Sequence, residues 1–313
     1  MSSLPLLVTG ATGNVGGACA HHLLRAGGVS VRCLVRDATS EKALALKEAG
    51  AALFVGDFSD AASLAAALDG VNATLLACSN QPEQIALEEQ FISSCASQNK
   101  YIVKLSTCGC PGYCTADSAI EYGRFHAAIE ATLEATTGIQ FTILQPNDYM
   151  SNHMGDIFGT LPHNLLAYPR TASQLADGKA RIVDVRDVGE IAAKLLLDGI
   201  SGSSQHHGRR YHVCGPASFS VRGLASLYEQ ALGLAVGTIH CVADMSEATY
   251  ATNLEQNAGF PQWLAVAVAC NQMFWAEGKL DYASSDEVMA LHPNFRTMEA
   301  WATEHAPLVK RGE

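Results

Sequence analysis

The sequence predicts an α/β fold: a doubly wound parallel sheet with a smaller, mostly carboxy-terminal lobe. Three observations carry that prediction. Short apolar runs alternate with helical stretches through the first 150 residues, glycines cluster where the first run ends, and the alternation fails further on. Strands that alternate with helices pair in parallel, because a helical crossover returns each strand to the same end of the sheet, and the helices then cover both faces.

The elements follow in order. Leu4 to Val8 is an apolar run of strand length, halted at Thr9-Gly10, and Gly13 to Gly17 leads into a helical stretch over Ala18 to Ala26. The next strand, Ser30 to Val35, ends in Arg36-Asp37. A helix over Ser40 to Ala49 leads to strand Ala52 to Val55 and the pair Gly56-Asp57, and Asp60 or Ser63 can cap the helix after it. Strand Ala73 to Cys78, helix Gln84 to Gln98 and strand Tyr101 to Leu105 continue the pattern. A long helix spans Ser118 to Ala135, stopped by Gly138, and Phe141 to Leu144 makes a strand before Pro146.

Beyond that point Ser151 to Gly178 reads as loop-rich, Arg181 to Asp184 as a strand, and Val188 to Leu197 as a helix opened by Asp187. Ser201 to Gly208 is a polar loop and Arg210 to Val213 one more sheet strand. Residues 1–150 are thus expected to form a nucleotide-binding domain to which 181–198 and 209–214 return. Residues 151–180 and 215–313, with a helix over Val221 to Leu232, form the smaller lobe for a substrate or partner. The apolar run Trp263 to Trp275 is shorter than the roughly 18 residues of a membrane span and is broken by Asn271 and Gln272, so it reads as a packed helix.

Composition narrows the classes. With 313 residues, 48% hydrophobic and 16% charged, the chain has enough apolar surface for a substantial core, which excludes disorder, collagen and coiled coil. Lys and Arg total 20 against 31 Asp and Glu, a net charge of −11, which leaves no basic stripe for a nucleic acid backbone. Ten cysteines without an extracellular framework, behind an amino terminus lacking a charged region and a cleavage site, point to reduced thiols and a cytoplasmic protein.

Three motifs carry chemistry. In VTGATGNVGG, Gly10, Gly13 and Gly16 stand at the first strand-to-helix junction, with Thr12, Asn14 and Val15 between them, one residue longer in the first gap than a GxGxxG fingerprint. Gly10 permits the tight turn, Gly13 lets the backbone approach a pyrophosphate, and Gly16 lets the helix pack on the strand while its amino terminus faces the phosphates. This makes the sheet Rossmann-type; the alternative is a merely structural turn. About 20 residues on, where an acidic side chain would grip a ribose 2′-hydroxyl, Arg36 suits a 2′-phosphate, which favours NADP(H) over NAD(H). Asp57 is expected near the adenine.

The second motif is the helix YGRFHAAIE, in which Tyr122, His126 and Glu130 recur every four residues and share a face. Here the sequence resembles the short-chain dehydrogenase/reductase superfamily, whose extended and atypical members carry Tyr, then Lys four residues on, then often Glu. The resemblance implies Tyr122 as proton donor to a carbonyl, His126 in place of the lysine at the nicotinamide ribose, and Thr107 orienting the carbonyl. Lowering a tyrosine pKa from about 10 to about 7 takes some 4 kcal/mol, and a histidine that titrates near ~6.5 supplies little of that field, so the reductive direction suits this site better. A tyrosine packed at the cofactor edge is the alternative.

The stretch GRFHAAIEATLEATTGIQFTILQPNDYMSN, with DVRDVGEIAAKLLLD and YHVCGPASFSVRGLASLYEQALG, is similar to the NmrA-like branch of the atypical short-chain reductases. The likeness runs from the glycine turn to about Gly233. It implies an NADP(H) cofactor, bordered also by Cys78, Ser79, Pro146 and Asn147, and a cleft between the lobes lined by Asn147, Tyr149, Met150 and Asn152. Gln145 departs from the arginine usual before that proline. The third motif, CGCPGYC, sets Cys108, Cys110 and Cys114 on the loop after Thr107; the spacing lacks a second ligand pair, so ordinary thiols are expected and no metal. His206-His207 reads as a surface pair. Two functions are compatible with these residues: an NADPH-dependent oxidoreductase reducing a small carbonyl, quinone or imine, and an NADP(H) redox sensor acting through a protein partner.

Overall fold

The computed structural model describes residues 5–98, 100–202 and 205–310. Leu4 of the expected first strand, Ser203 and Ser204 of the polar loop, and residues 311–313 of the carboxy-terminal lobe lie outside them. The elements β1 (Pro5–Val8), α1 (Asn14–Ala26), β2 (Ser30–Val35), α2 (Glu41–Glu48), β3 (Ala52–Val55), α3 (Ala61–Leu68), β4 (Ala73–Leu76), α4 (Gln84–Ala96), β5 (Tyr101–Leu105), α5 (Glu121–Ala135) and β6 (Gln140–Pro146) alternate without a break. After them come β7 (Leu165–Ala167), α6 (Gln174–Asp177), β8 (Ala180–Arg181), α7 (Val185–Ile200), β9 (Arg209–Val213), β10 (Ser218–Phe219), α8 (Val221–Ala231), β11 (His240–Val242), α9 (Glu247–Ala258), α10 (Gln262–Ala276), α11 (Asp286–Leu291) and α12 (Met298–His305).

Seven strands form one parallel sheet in the order β3-β2-β1-β4-β5-β6-β9. The order reverses between β1 and β4, and ligands of such sheets bind in the crevice that opens there beyond the carboxyl ends of the strands. Alternation along β1 divides the core: Leu6 and Val8 pack with α1, α2 and α7, while Leu7 packs on the opposite face with α3, α4 and α5. Each such leucine, fully buried, is worth roughly 1.5–3 kcal/mol. A further core, with Met150, Tyr168, Trp275 and Trp301, joins the carboxy-terminal helices to Tyr113 and Tyr122.

Several boundaries differ from the sequence reading. Helix α1 starts at Asn14, four residues before Ala18, because extended Gly13 is its N-cap and the glycine turn runs directly into its first turn. Helix α5 starts at Glu121 and not at Ser118, whose hydroxyl instead accepts from the Ile120 N–H. Asp60 caps α3 by accepting from Ala62 N, and Ser63 donates back to the Asp60 carbonyl. The strand expected over Arg181 to Asp184 shrinks to β8, antiparallel to β10, because Val183 N donates to the Asp148 carbonyl and bridges to Tyr149. Asp184, not Asp187, caps α7. Asp187 lies inside that helix, fully buried, and pairs with Arg296 and His292.

His206 and His207 are not a surface pair. His206 is buried, with Nδ1 2.8 Å from Tyr211 Oη and its carbonyl accepting from Thr142, while exposed His207 accepts from the Phe141 N–H. The polar loop folds onto the starts of β6 and β9, which supply donors that need these partners. In α10 the interrupting polar residues face inward: Asn271 accepts from Tyr113 and Gln272 from Arg170. Among the described residues no helix is long and apolar enough to cross a membrane.

Candidate cofactor and substrate site

The glycine turn is built for close approach. Gly10 has φ +58°, a left-handed conformation, and a Cβ there would lie 2.9 Å from the Ala77 carbonyl oxygen. A Cβ on Gly16 would overlap the Gly10 carbonyl. Thr9 locks the turn to β4: its hydroxyl donates to the Leu75 carbonyl and accepts from Ala77 N. No side chain caps α1, so the N–H groups of its first turn, Asn14, Val15 and Gly16, are left without an intrahelical partner. A groove of about 390 Å³ runs past Thr12, Gly13 and Asn14 to Lys42 and Arg186.

Arg36 is exposed at the end of β2. The neighbouring Asp37 accepts from the hydroxyl and N–H of Thr39, which also hold its carboxyl below the usual range. Asp57 does the same with Ser59, whose hydrogen bonds lower its pKa, and Arg36 adds to that effect. Both carboxylates are therefore engaged in local turns. Lys42, in the first turn of α2, lines the groove and was not anticipated from sequence; the signal available was a lysine just inside the helix that follows Arg36. Arg186 is committed elsewhere, to Asp184 and Glu304.

Tyr122 and His126 lie on one face of α5 and enter different surroundings. Tyr122 is 8% exposed and hydrogen-bonds to Tyr113 at 2.8 Å, and burial pushes its phenol above the ordinary value. His126 Nε2 faces Gln84 Nε2 at 3.4 Å, and Gln84 in turn donates to Glu88. An amide nitrogen only donates, so His126 Nε2 accepts and Nδ1 carries the proton. That Nδ1 is buried and has no partner. Burial, with Lys104 nearby, holds the imidazole well below its usual pKa.

This makes a pH prediction. The folded protein keeps His126 neutral, whereas the unfolded chain takes up a proton below about 6.5, so stability falls as pH drops below that value. His126→Gln should make the decline between pH 6.5 and 5 shallower, by up to about 1.4 kcal/mol per pH unit. Urea denaturation at several pH values measures it; an unchanged slope contradicts the assignment.

Lys104 on β5 supplies a cation that sequence reasoning missed. It is fully buried, 2.6 Å from equally buried Glu88, approaching Oε2 off the hydrogen-bond axis, and it also donates to the Leu105 carbonyl. Glu130 is a second buried hub, accepting from Ser106, Gln145 and Arg210. Gln145 thus meets a carboxylate where an arginine would have formed an ion pair. The apolar neighbours of Lys104 on its strand gave no hint of a charge beneath the crevice.

The remaining residues divide. Thr107 is half-buried directly after β5, Cys78 is half-buried and Ser79 exposed after β4, and Pro146 is buried at the end of β6. Asn147 is engaged in the fold: its Nδ2 donates to the Leu280 carbonyl at 2.8 Å and its Oδ1 accepts from Asp148 N. Asn152 donates to Asp148. Tyr149 is partly buried, and Met150, 1% exposed, packs in the core rather than along a cleft. Cys108 and Cys110 are buried, Cys108 Sγ lying 3.0 Å from Tyr282 Oη, and burial pushes the Cys114 thiol up to about 12. Among the described residues no cluster of His, Cys, Asp or Glu is arranged to hold a metal ion.

Residues 3–105, the stretch that contains the glycine turn and the first five strands, match the model of the NmrA-like family. Over that stretch the chain is NmrA-like. The chain is also similar to curated proteins along most of its length. It is 25% identical over 271 residues to the NAD(P)H azoreductase of Xenophilus azovorans, covering 84% of each chain. It is 25% identical over 278 residues to quinone oxidoreductase 2 of Escherichia coli, covering 88% of this chain and 89% of that one. Among solved structures, an Escherichia coli NADPH-dependent quinone oxidoreductase complexed with NADPH superimposes with a TM-score of 0.79 at 22% identity, over 96% of this chain and 99% of the other. At that identity the superposition establishes a common α/β fold.

Proposed function

We propose that this NmrA-like protein is an NADPH-dependent reductase of small, electron-poor acceptors of the quinone or azo type. The observation that carries the reading is the α1 start: uncapped N–H groups behind a turn too tight for a Cβ at Gly10 or Gly16, at the point where the strand order reverses. Such a start favours a diphosphate. The azoreductase and quinone oxidoreductase among its relatives support the chemical class.

The cofactor supplies hydride when bound, and the chain's residues hold and surround it. Residues 1–150, with 181–198 and 209–214, make up the cofactor half in this reading. Thr12, Asn14, Val15 and the three glycines cradle the diphosphate. Arg36 and Lys42 neutralise the 2′-phosphate, with Asp57 beside them, and Cys78, Ser79 and Pro146 follow along the carboxyl ends of β4 and β6. The partnerless Nδ1–H of His126 suits a ribose hydroxyl. Thr107 and Tyr122 meet the acceptor, and Tyr149 borders it. Ten free cysteines fit a reducing, cytoplasmic setting.

The test is direct. Calorimetry should show NADPH binding more tightly than NADH, and a quinone panel should reveal NADPH consumption. Arg36→Ala and Lys42→Ala should each weaken NADPH by about 1.5–3 kcal/mol and NADH much less, the range for hydrogen bonds to charged groups. Equal losses for both nucleotides contradict the 2′-phosphate assignment. Tight NADPH binding without turnover of any acceptor favours a sensor over a reductase.

A further inference from the structure

A hydrogen-bond chain at the start of α5 has a fixed direction. Tyr113 Oη lies 2.8 Å from Asn271 Oδ1 and 2.8 Å from Tyr122 Oη. A phenol has one proton, and an amide oxygen can only accept, so the Tyr113 proton goes to Asn271. Tyr122 must then be the donor to Tyr113. All three groups are buried, at 4%, 8% and 7% exposure for Tyr113, Tyr122 and Asn271, and Phe274 packs edge-on against Tyr113 at 5.2 Å, which holds the ring in place. The hydroxyl that resemblance would make a proton donor therefore directs its proton into the protein and offers an acceptor molecule only lone pairs.

We propose that Tyr113 and Asn271 are specificity-determining positioning residues that withhold the Tyr122 proton and so favour quinones over simple aldehydes and ketones. This rests on the reductase reading above. A quinone that accepts hydride, two electrons and one hydrogen nucleus, becomes a hydroquinone monoanion; its phenolic oxygen, with a conjugate acid near ~10, takes the second hydrogen from water afterwards. An aldehyde that accepts hydride would become an alkoxide whose conjugate acid is about as weak as water, ~15.7, so its carbonyl oxygen needs a proton as the carbon–oxygen π bond breaks. Positioned acids are worth about 10²–10⁴ in rate for such steps. A site whose tyrosine proton points inward forgoes that factor for aldehydes and loses little for quinones.

The experiment compares kcat/KM for a benzoquinone and a benzaldehyde of similar size, with NADPH. In the native protein the quinone should be favoured by at least about 100-fold. Tyr113→Phe and Asn271→Leu, which free the Tyr122 proton, should raise the aldehyde-to-quinone ratio about tenfold or more. Asn271→Asp, which keeps an accepting oxygen, should hold the native ratio, and Tyr113→Phe combined with Tyr122→Phe should return to it. Damage to the fold lowers both rates and cannot raise the ratio. A native ratio near one, or no rise in either single variant, overturns the proposal.

A binding arm separates this proposal from the reductase reading. In the protein saturated with NADP⁺, calorimetry compares hydroquinone, which can donate to Tyr122, with its dimethyl ether, which cannot. Hydroquinone should bind about tenfold more tightly in the native protein, a difference of about 1.4 kcal/mol, and the preference should shrink in Tyr113→Phe. Equal binding of both compounds, or binding of neither, overturns the hydrogen-bond order. Absence of turnover with every acceptor overturns the reductase reading instead, and the binding comparison then decides the hydrogen-bond order alone.

Discussion

NADPH affinity is expected to fall at least about 100-fold, about 2.7 kcal/mol, when Gly16 is replaced by valine. The cause is geometric. A Cβ at that position would overlap the Gly10 carbonyl and come within 3.0 Å of the Thr9 carbonyl oxygen, both backbone atoms that no rotamer change can move aside. The turn must open, and the N–H groups at the start of α1 would no longer converge. Overpacking of this kind also costs about 1–3 kcal/mol of stability, so the fold of the variant is checked by circular dichroism alongside calorimetry. A folded Gly16→Val protein with native affinity would place the cofactor phosphates somewhere other than this turn.

Lys104→Met is expected to destabilise the protein by about 3–5 kcal/mol, the usual cost of removing one partner of a buried ion pair. Both side chains are fully buried beneath the crevice, so Glu88 would be left charged without solvent or a cation. Glu88→Gln alone should cost a similar amount. The double variant Lys104→Met with Glu88→Gln should recover much of the loss, because most of the single-variant penalty belongs to the stranded charge and not to a lost attraction. The midpoint of urea denaturation measures all three proteins. Additive losses would mean that the two groups do not act as a pair.

Both predictions concern the same few ångströms, yet they differ in how they could be found. Gly10, Gly13 and Gly16 were legible because a phosphate-binding turn requires glycine at particular spacings just after a strand, and local sequence contains the whole requirement. The alternating strands and helices, and the place of Arg36 at the end of β2, were legible for the same reason. Lys104 and Glu88 were not, because they sit on β5 and α4 and meet only through the packing of the sheet against its helices. Lys42 was hidden differently: nothing within α2 says that its first turn lies beside the glycine turn.

Tyr122 shows the limit most clearly. Its spacing from His126 on α5 marked the helix face correctly, and the resemblance implied a proton donor. What the hydroxyl does with its proton depends on Tyr113, in a loop, and on Asn271 in α10, 149 residues beyond Tyr122. Asp184 and Asp187 make the same point for structure. Either could open α7 by composition, and the choice fell to Asp184 because Arg296 and His292, from the distant carboxy-terminal segment, take up the charge of Asp187.

The order of residues along the chain therefore sufficed for the parallel α/β architecture, the nucleotide-type turn and the candidate 2′-phosphate arginine, because periodicity, turn geometry and strand ends are properties of neighbouring residues. Tertiary packing alone settled which cation lies beneath the crevice, which way the Tyr122 proton points and which nitrogen of His126 is left without a partner. Those are questions of pairing between groups remote in sequence, and a buried polar atom takes its chemistry from whatever the fold brings within about 3 Å of it.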